Sequence, residues 1–128
     1  MAVAGFSHVN LTVSDLDRSR AWYARAVGWT ELMAARTDTT TYAVGQVPGG
    51  AILVLRTHDE PAADAFDPRR VGLDHVSFAV ASVADLSELE QTLQSMGATV
   101  SPIEQTPTAH VLSFRDCDGI ALEAYLPL

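Results

Sequence analysis

Lysine is missing altogether from these 128 residues, and cysteine occurs once, as Cys117. Without lysine there is no Schiff-base chemistry and no phosphate-cradling P-loop. A single cysteine excludes an internal disulfide and suits a reducing compartment. Long hydrophobic runs are lacking too: none approaches the roughly 18 residues a membrane-crossing helix needs, so no membrane partner is expected. The first residues, Met1 to Gly5, carry neither a basic segment nor a long apolar stretch and do not read as a signal peptide. These features together give an expected cytoplasmic location. Positive charge is scarce: eight arginines face sixteen acidic residues, for a net charge of −8. Such a surface repels a phosphate backbone on average, so nucleic acid is excluded as a partner.

What is present is an ordinary globular composition, 48% apolar and 19% charged. The length fits one domain over residues 1–128. Within it lies a repeat. Phe6 to Val13 and Leu73 to Val80 both alternate with period two, and both carry His-Val at the same place, His8 and His75, 67 positions apart. A helix is expected after each strand. The first opens at Ser14, with Asp17 three residues on, and stops at Gly28. The second opens at Ser82, with Asp85 likewise, and stops at Gly97. Leu16, Trp22, Tyr23, Ala26 and Val27 would face the core from the first helix, and Leu86, Leu89, Leu93 and Met96 from the second. Each half then closes with strands about a glycine turn, Thr39 to Val44 and Ala51 to Leu55, then His110 to Phe114 and Ile120 to Tyr125. Setting Gly50 against Gly119 pairs Val54 with Glu123. The polar segment Thr57 to Arg70 reads as a linker. The fold class that follows is α+β, two βαβββ repeats over about 3–68 and 71–128, their sheets curved around a shared cleft.

Strand parity then groups the polar side chains. His8 shares a face with Asn10 and Thr12, His75 with Ser77 and Ala79, and Glu123 with Ala121 and Tyr125. An approximate two-fold between the halves would set the first strands side by side and bring the two imidazoles together, with Glu123 closing the set. Two imidazoles and a carboxylate make a three-ligand metal site with open positions, suited to Fe, Mn, Zn or Ni. Singly, each residue has a plainer reading: a strand histidine is more often core or surface, and a strand glutamate more often faces solvent. Asn10, Thr12, Arg56, Ser77 and Tyr125 are the candidate substrate contacts, and Tyr42 and Ser113 the candidate catalytic groups. Arg56 occupies the place of Tyr125 in the repeat, where it would pair with a substrate anion or simply sit solvated at a strand end. His110 falls out of phase with Ser113 and is expected to point away, and His58 is expected to lie solvated in the linker. Trp22 and Trp29 read as core or dimer contacts.

The stretch Phe6-Ser7-His8-Val9-Asn10-Leu11-Thr12-Val13-Ser14-Asp15-Leu16, the stretch Gly72-Leu73-Asp74-His75-Val76, and the closing Phe114-Arg115-Asp116-Cys117-Asp118-Gly119-Ile120-Ala121-Leu122-Glu123 resemble the signatures of the glyoxalase/bleomycin-resistance/extradiol-dioxygenase superfamily, the vicinal-oxygen-chelate proteins. The resemblance covers essentially the whole chain. It implies the vicinal-oxygen-chelate fold, a small-molecule substrate, a homodimer, and metal ligands at His8, His75 and Glu123. The implied activity is that of a metal-dependent isomerase, lyase or dioxygenase acting on a small oxygen-rich molecule. The departures narrow this. Glyoxalase I enzymes take a fourth ligand where this chain has Val54, which binds no metal. Relatives with three ligands place a tyrosine where Ser113 stands, and the thiol-transferring fosfomycin-type enzymes use a lysine that this chain lacks. The alternative is a bleomycin-resistance-type protein that sequesters a small molecule without catalysis.

Overall fold

The computed structural model describes all 128 residues. The chain divides into two compact units, Met1–Ala63 and Asp64–Leu128. In the first, β1 (His8–Thr12), α1 (Leu16–Val27), β2 (Thr30–Arg36), β3 (Thr40–Gln46) and β4 (Ile52–His58) follow one another. In the second, β5 (Val76–Ala79), α2 (Val83–Ser95), β6 (Glu104–Gln105), β7 (Ala109–Arg115) and β8 (Ala121–Pro127) repeat that order. Each unit therefore has the expected βαβββ order. Each forms one four-stranded mixed sheet, β1-β4-β3-β2 and β5-β8-β7-β6. The expected α+β architecture of two repeats is what the structure has. The first strand of each unit lies at a sheet edge and pairs in parallel with the last strand of its own unit, β1 with β4 and β5 with β8. The remaining pairs are antiparallel.

One face of each sheet carries the core. In the first unit Leu11, Ala43, Leu53 and Leu55 are buried, and so are Leu16, Ser19, Tyr23 and Ala26 of α1. Trp22 is only half-buried, edge-on to Tyr23. In the second unit Leu112, Phe114, Leu122 and Ala124 are buried with Leu86 and Leu93 of α2, while Leu89 and Met96 are half-buried. Full burial of a leucine or aromatic side chain stabilises by roughly 1.5–3 kcal/mol, so these two faces hold their helices in place.

The helix ends need a correction at one of four places. Asp15, not Ser14, caps α1, its carboxylate accepting from the Arg18 backbone N–H at 2.9 Å. An ionised acceptor facing the positive end of the helix dipole is the better cap. Gly28 ends that helix in the left-handed conformation, φ 69°. Ser82 caps α2 as expected, accepting from the Asp85 N–H at 3.1 Å and donating to the Asp85 carboxylate at 2.8 Å. Gly97 follows Met96 with φ 67°.

Several strand boundaries also move. The strand read from Leu73 to Val80 is ordered as a ladder only over Val76–Ala79, so His75 stands just before it. β4 runs on to His58, which places that residue at a strand end and not in the linker, although it is exposed as expected. No helix is long and apolar enough to cross a membrane, which leaves strands unaddressed.

Trp29 is locked over the sheet, its indole Nε1 donating to the Leu53 carbonyl at 2.9 Å. Gly45 makes that possible, because a Cβ there would sit 2.2 Å from the Trp29 ring. Gly45→Ala is therefore expected to destabilise by about 1–3 kcal/mol, the usual cost of overpacking. Urea unfolding should show a lower midpoint at unchanged slope; an unaltered midpoint would mean the ring yields freely.

Candidate functional site

Residues paired across a ladder share a face, so the register places every candidate side chain. In the first unit the ladder sets His8 opposite Ile52, Asn10 opposite Val54, and Thr12 opposite Arg56, and it continues across β3 with Val54 opposite Val44 and Arg56 opposite Tyr42. In the second it sets Ser77 opposite Glu123 and Ala79 opposite Tyr125, with Ser113 opposite Glu123 from β7. The Asn10–Val54 and Ser77–Glu123 pairs are thus equivalents, as are Thr12–Arg56 and Ala79–Tyr125. Val54 holds the place of Glu123, and Arg56 that of Tyr125, as the repeat predicts. All of these side chains lie on the sheet face away from the helix of their unit.

In the second unit the cluster is close. Ser77 Oγ donates to Glu123 Oε1 at 2.8 Å, and His75 Nε2 lies 3.8 Å from the same oxygen. The Asp74 carboxylate accepts from His75 Nδ1 at 2.6 Å. A carboxylate on Nδ1 orients the ring and leaves Nε2 as the free donor atom, the arrangement usual for a metal-ligating histidine. Glu123 is mostly shielded, its side chain 21% exposed. Tyr125 is turned to Thr108, hydroxyl to hydroxyl at 3.2 Å.

In the first unit His8 carries a comparable contact, Ser7 Oγ 2.9 Å from its Nδ1. Further along the same face Arg56 lies over the Tyr42 ring, 4.4 Å from its centroid, and donates to Thr40 Oγ1 at 2.5 Å. Thr12 Oγ1 is 3.5 Å from His58 Nε2. His110 alternates with Leu112 and Phe114 on the opposite face from Ser113, as parity requires. Cys117 is half-buried in the turn before β8.

The structure therefore gathers Ser77, Glu123 and His75, and separately Thr12, Arg56 and Tyr42. No three His, Cys, Asp or Glu side chains are gathered for a metal in the chain. Sequence reading overlooked Asp74, Thr40, Thr108 and the part played by His58. Thr40 lies two residues before Tyr42 within the expected strand, so parity already put it on this face, and a strand running on past Leu55 would have added His58, two after Arg56.

A family model described as the Glyoxalase/Bleomycin resistance protein/Dioxygenase superfamily matches residues 5–124. The chain belongs to this superfamily. A superfamily structure from Frankia sp. EAN1pec, a glyoxylase/bleomycin resistance protein/dioxygenase domain, shares 49% identity over 99% of this chain and 100% of that one, with a TM-score of 0.94. FosX from Listeria monocytogenes, a genomically encoded fosfomycin resistance protein, shares 16% identity over 96% of this chain and 92% of that chain, with a TM-score of 0.75, which is a likeness of fold. Among curated proteins, the uncharacterized YwkD of Bacillus subtilis (strain 168) is 26% identical over 98% of both chains. Superfamily membership bears out the resemblance carried by the three motifs.

The turn that delivers Glu123 is itself pinned. Asp116, 6% exposed, accepts from the backbone N–H groups of Asp118 at 2.8 Å and Ile120 at 2.9 Å. Asp116→Ala should cost about 1–3 kcal/mol, because one buried and one part-buried N–H group lose their acceptor. Hydrogen exchange should accelerate selectively at Ile120 and along β8; uniform protection would show that the turn is held otherwise.

Proposed function

We propose that this protein is a metal-dependent enzyme of the vicinal-oxygen-chelate type, with its two halves working as one domain. In this reading His8, His75 and Glu123 hold a divalent cation, of which Fe, Mn, Zn and Ni all suit two imidazoles and a carboxylate. The observation that carries it is the preparation of His75: Asp74 holds Nδ1, Nε2 is left free, and Glu123 stands 3.8 Å from that nitrogen. FosX of Listeria monocytogenes was solved with Mn(II) and 1S,2S-dihydroxypropylphosphonic acid, which supports a divalent metal on this fold.

Such a cation supplies Lewis-acid stabilisation to negative charge developing on a substrate oxygen. The chain's own residues do the rest. Ser77 donates to one Glu123 oxygen and so restrains the carboxylate. Val54, 4% exposed, fills the place where a fourth protein ligand would stand and leaves that position to substrate or water. Asn10, Ser113 and Tyr125 flank the reacting molecule, and Tyr42 is the candidate proton donor. Isomerase, lyase and oxygenase chemistry all fit this frame.

His8 belongs to one half and the other two ligands to the second, so the set is completed by the other half of the same chain or of a second copy. A homodimer, which the superfamily resemblance implies, is also part of the proposal, and light scattering should report twice 13.7 kDa.

Protein purified without an affinity tag should carry one divalent cation per site. His8→Ala and Glu123→Ala should abolish that binding, and Asp74→Ala should weaken it by about 10–100-fold. Val54→Glu should tighten it while closing the open position. Metal content far below stoichiometry, unaffected by His8→Ala, would replace this reading with a metal-free binding protein that sequesters its small molecule.

A further inference from the structure

Arg56 differs from four other arginines of the first and linking segments, each of which is paired with a carboxylate. In a chain with twice as many acids as arginines, Arg20 pairs with Asp17 and Glu31, Arg36 with Asp59, Arg69 with Asp67, and Arg70 with Asp64. Arg56 is half-buried, yet its partners are only the Thr40 hydroxyl and the Tyr42 ring. A cation withdrawn from water without a counter-charge is costly, and the cost is removed when an anion arrives.

The guanidinium is also held ready. Thr40, 6% exposed, is fixed in turn by Thr37, hydroxyl to hydroxyl at 2.8 Å. The Tyr42 ring lies under the guanidinium carbon, 4.4 Å from it, and takes up none of its donors. Of five N–H groups one goes to Thr40. Thr12 lies directly opposite in the ladder, with its hydroxyl near His58. Asp59, the acid closest to Arg56 in the chain, is drawn away by a two-pronged bond to Arg36 at 3.0 and 2.5 Å. That bond holds the Asp59 carboxyl below the ordinary carboxylate range.

We propose that Arg56, with Thr12 and His58 beside it, is an anion subsite that takes a carboxylate of the substrate. One permanent positive charge matches a monoanion, and the planar fork matches a carboxylate held by two parallel bonds. A phosphonate or phosphate dianion would leave a charge unpaired. Thr12 stands four residues along β1 from His8, about 13 Å at roughly 3.3 Å per residue. The substrate class is therefore a small molecule with oxygens for the metal at one end and a carboxylate at the far end. The carboxylate subsite rests on the proposed function only in taking the His8 face as the substrate face, and the metal-binding end of the substrate rests on the metal reading itself.

The test is a titration of the full-length, EDTA-treated protein with benzoate, its neutral isostere benzamide, and inorganic phosphate, followed by calorimetry and by the Arg56 side-chain Nε–H signal. Benzoate should bind saturably and shift that signal, benzamide should not, and phosphate should bind more weakly. Arg56→Gln should weaken benzoate at least about tenfold, or about 1.4 kcal/mol. Arg56→Lys keeps the charge but loses the fork, and should weaken it by about threefold or more. If Arg56→Gln does not fold, Arg56→Lys decides alone, and unchanged affinity in it overturns the proposal. Benzamide binding as well as benzoate, or phosphate binding more tightly than benzoate, overturns it too. His8→Ala separates the two readings. Retained benzoate binding in that variant places the anion away from the metal ligands, whether or not the metal reading stands, and lost binding sinks the subsite.

Discussion

In a parallel ladder register leaves little freedom. Once His8 lies opposite Ile52, Asn10 must lie opposite Val54 and Thr12 opposite Arg56, and a side chain cannot change face without the whole strand slipping. The same pairing in the second unit sets Ser77 against Glu123. The edge strand that carries His8, or that follows directly on His75, is therefore tied, residue by residue, to the strand that carries the arginine or the carboxylate. Everything on the helix-distant face inherits its position from that pairing, including contacts that span only one or two hydrogen bonds.

Each sheet divides its labour between two faces. Leucines and aromatic residues on the helix side supply the stabilising burial, with Tyr23 and Leu55 fully enclosed in the first unit and Leu86, Leu93 and Leu112 in the second. The other side is left to residues that pack poorly and bond well: Asn10, Thr12 and Arg56, then Ser77, Ser113 and Glu123. Polar groups there need not be satisfied by the core, so they remain available to a guest. The two units have used the equivalent slots differently. One holds a buried valine and an arginine, the other a glutamate and a tyrosine, so the polar face of one sheet carries a positive charge and that of the other a negative one.

Most of this frame was legible in the residues. The His-Val repeat, the glycines after each helix and the turn at Asp116 to Gly119 identified the halves, and parity alone assigned the faces. The strand β2 was not legible. Its sequence, Thr-Glu-Leu-Met-Ala-Ala-Arg, lacks alternation because a register shift lies between Glu31 and Met33, and alanine favours strands weakly. The helix start was misplaced by one residue because Ser14 and Asp15 are both good caps, and only the backbone decides between them. The role of Asp74 was invisible for another reason. Neighbouring side chains in an extended strand point to opposite faces, so an i, i+1 contact with His75 arises only where the ladder has not yet begun.

The loop between β3 and β4 is short and tightly bonded, with the Val47 N–H donating to the Ala51 carbonyl at 3.0 Å and the Gly50 N–H to the Val47 carbonyl at 3.0 Å. Gly49 and Gly50 both sit at positive φ, 93° and 95°. This loop sets the phase of β4. Descendants of this chain can exchange any one side chain on the polar face by point substitution and keep the other contacts. A one-residue slip of β4 against its neighbours is a different event, since it would turn Arg56 toward the helix side and the buried Leu55 toward water in one step. The chemistry of that face can therefore change one side chain at a time, whereas the phase of β4 can change only as a whole.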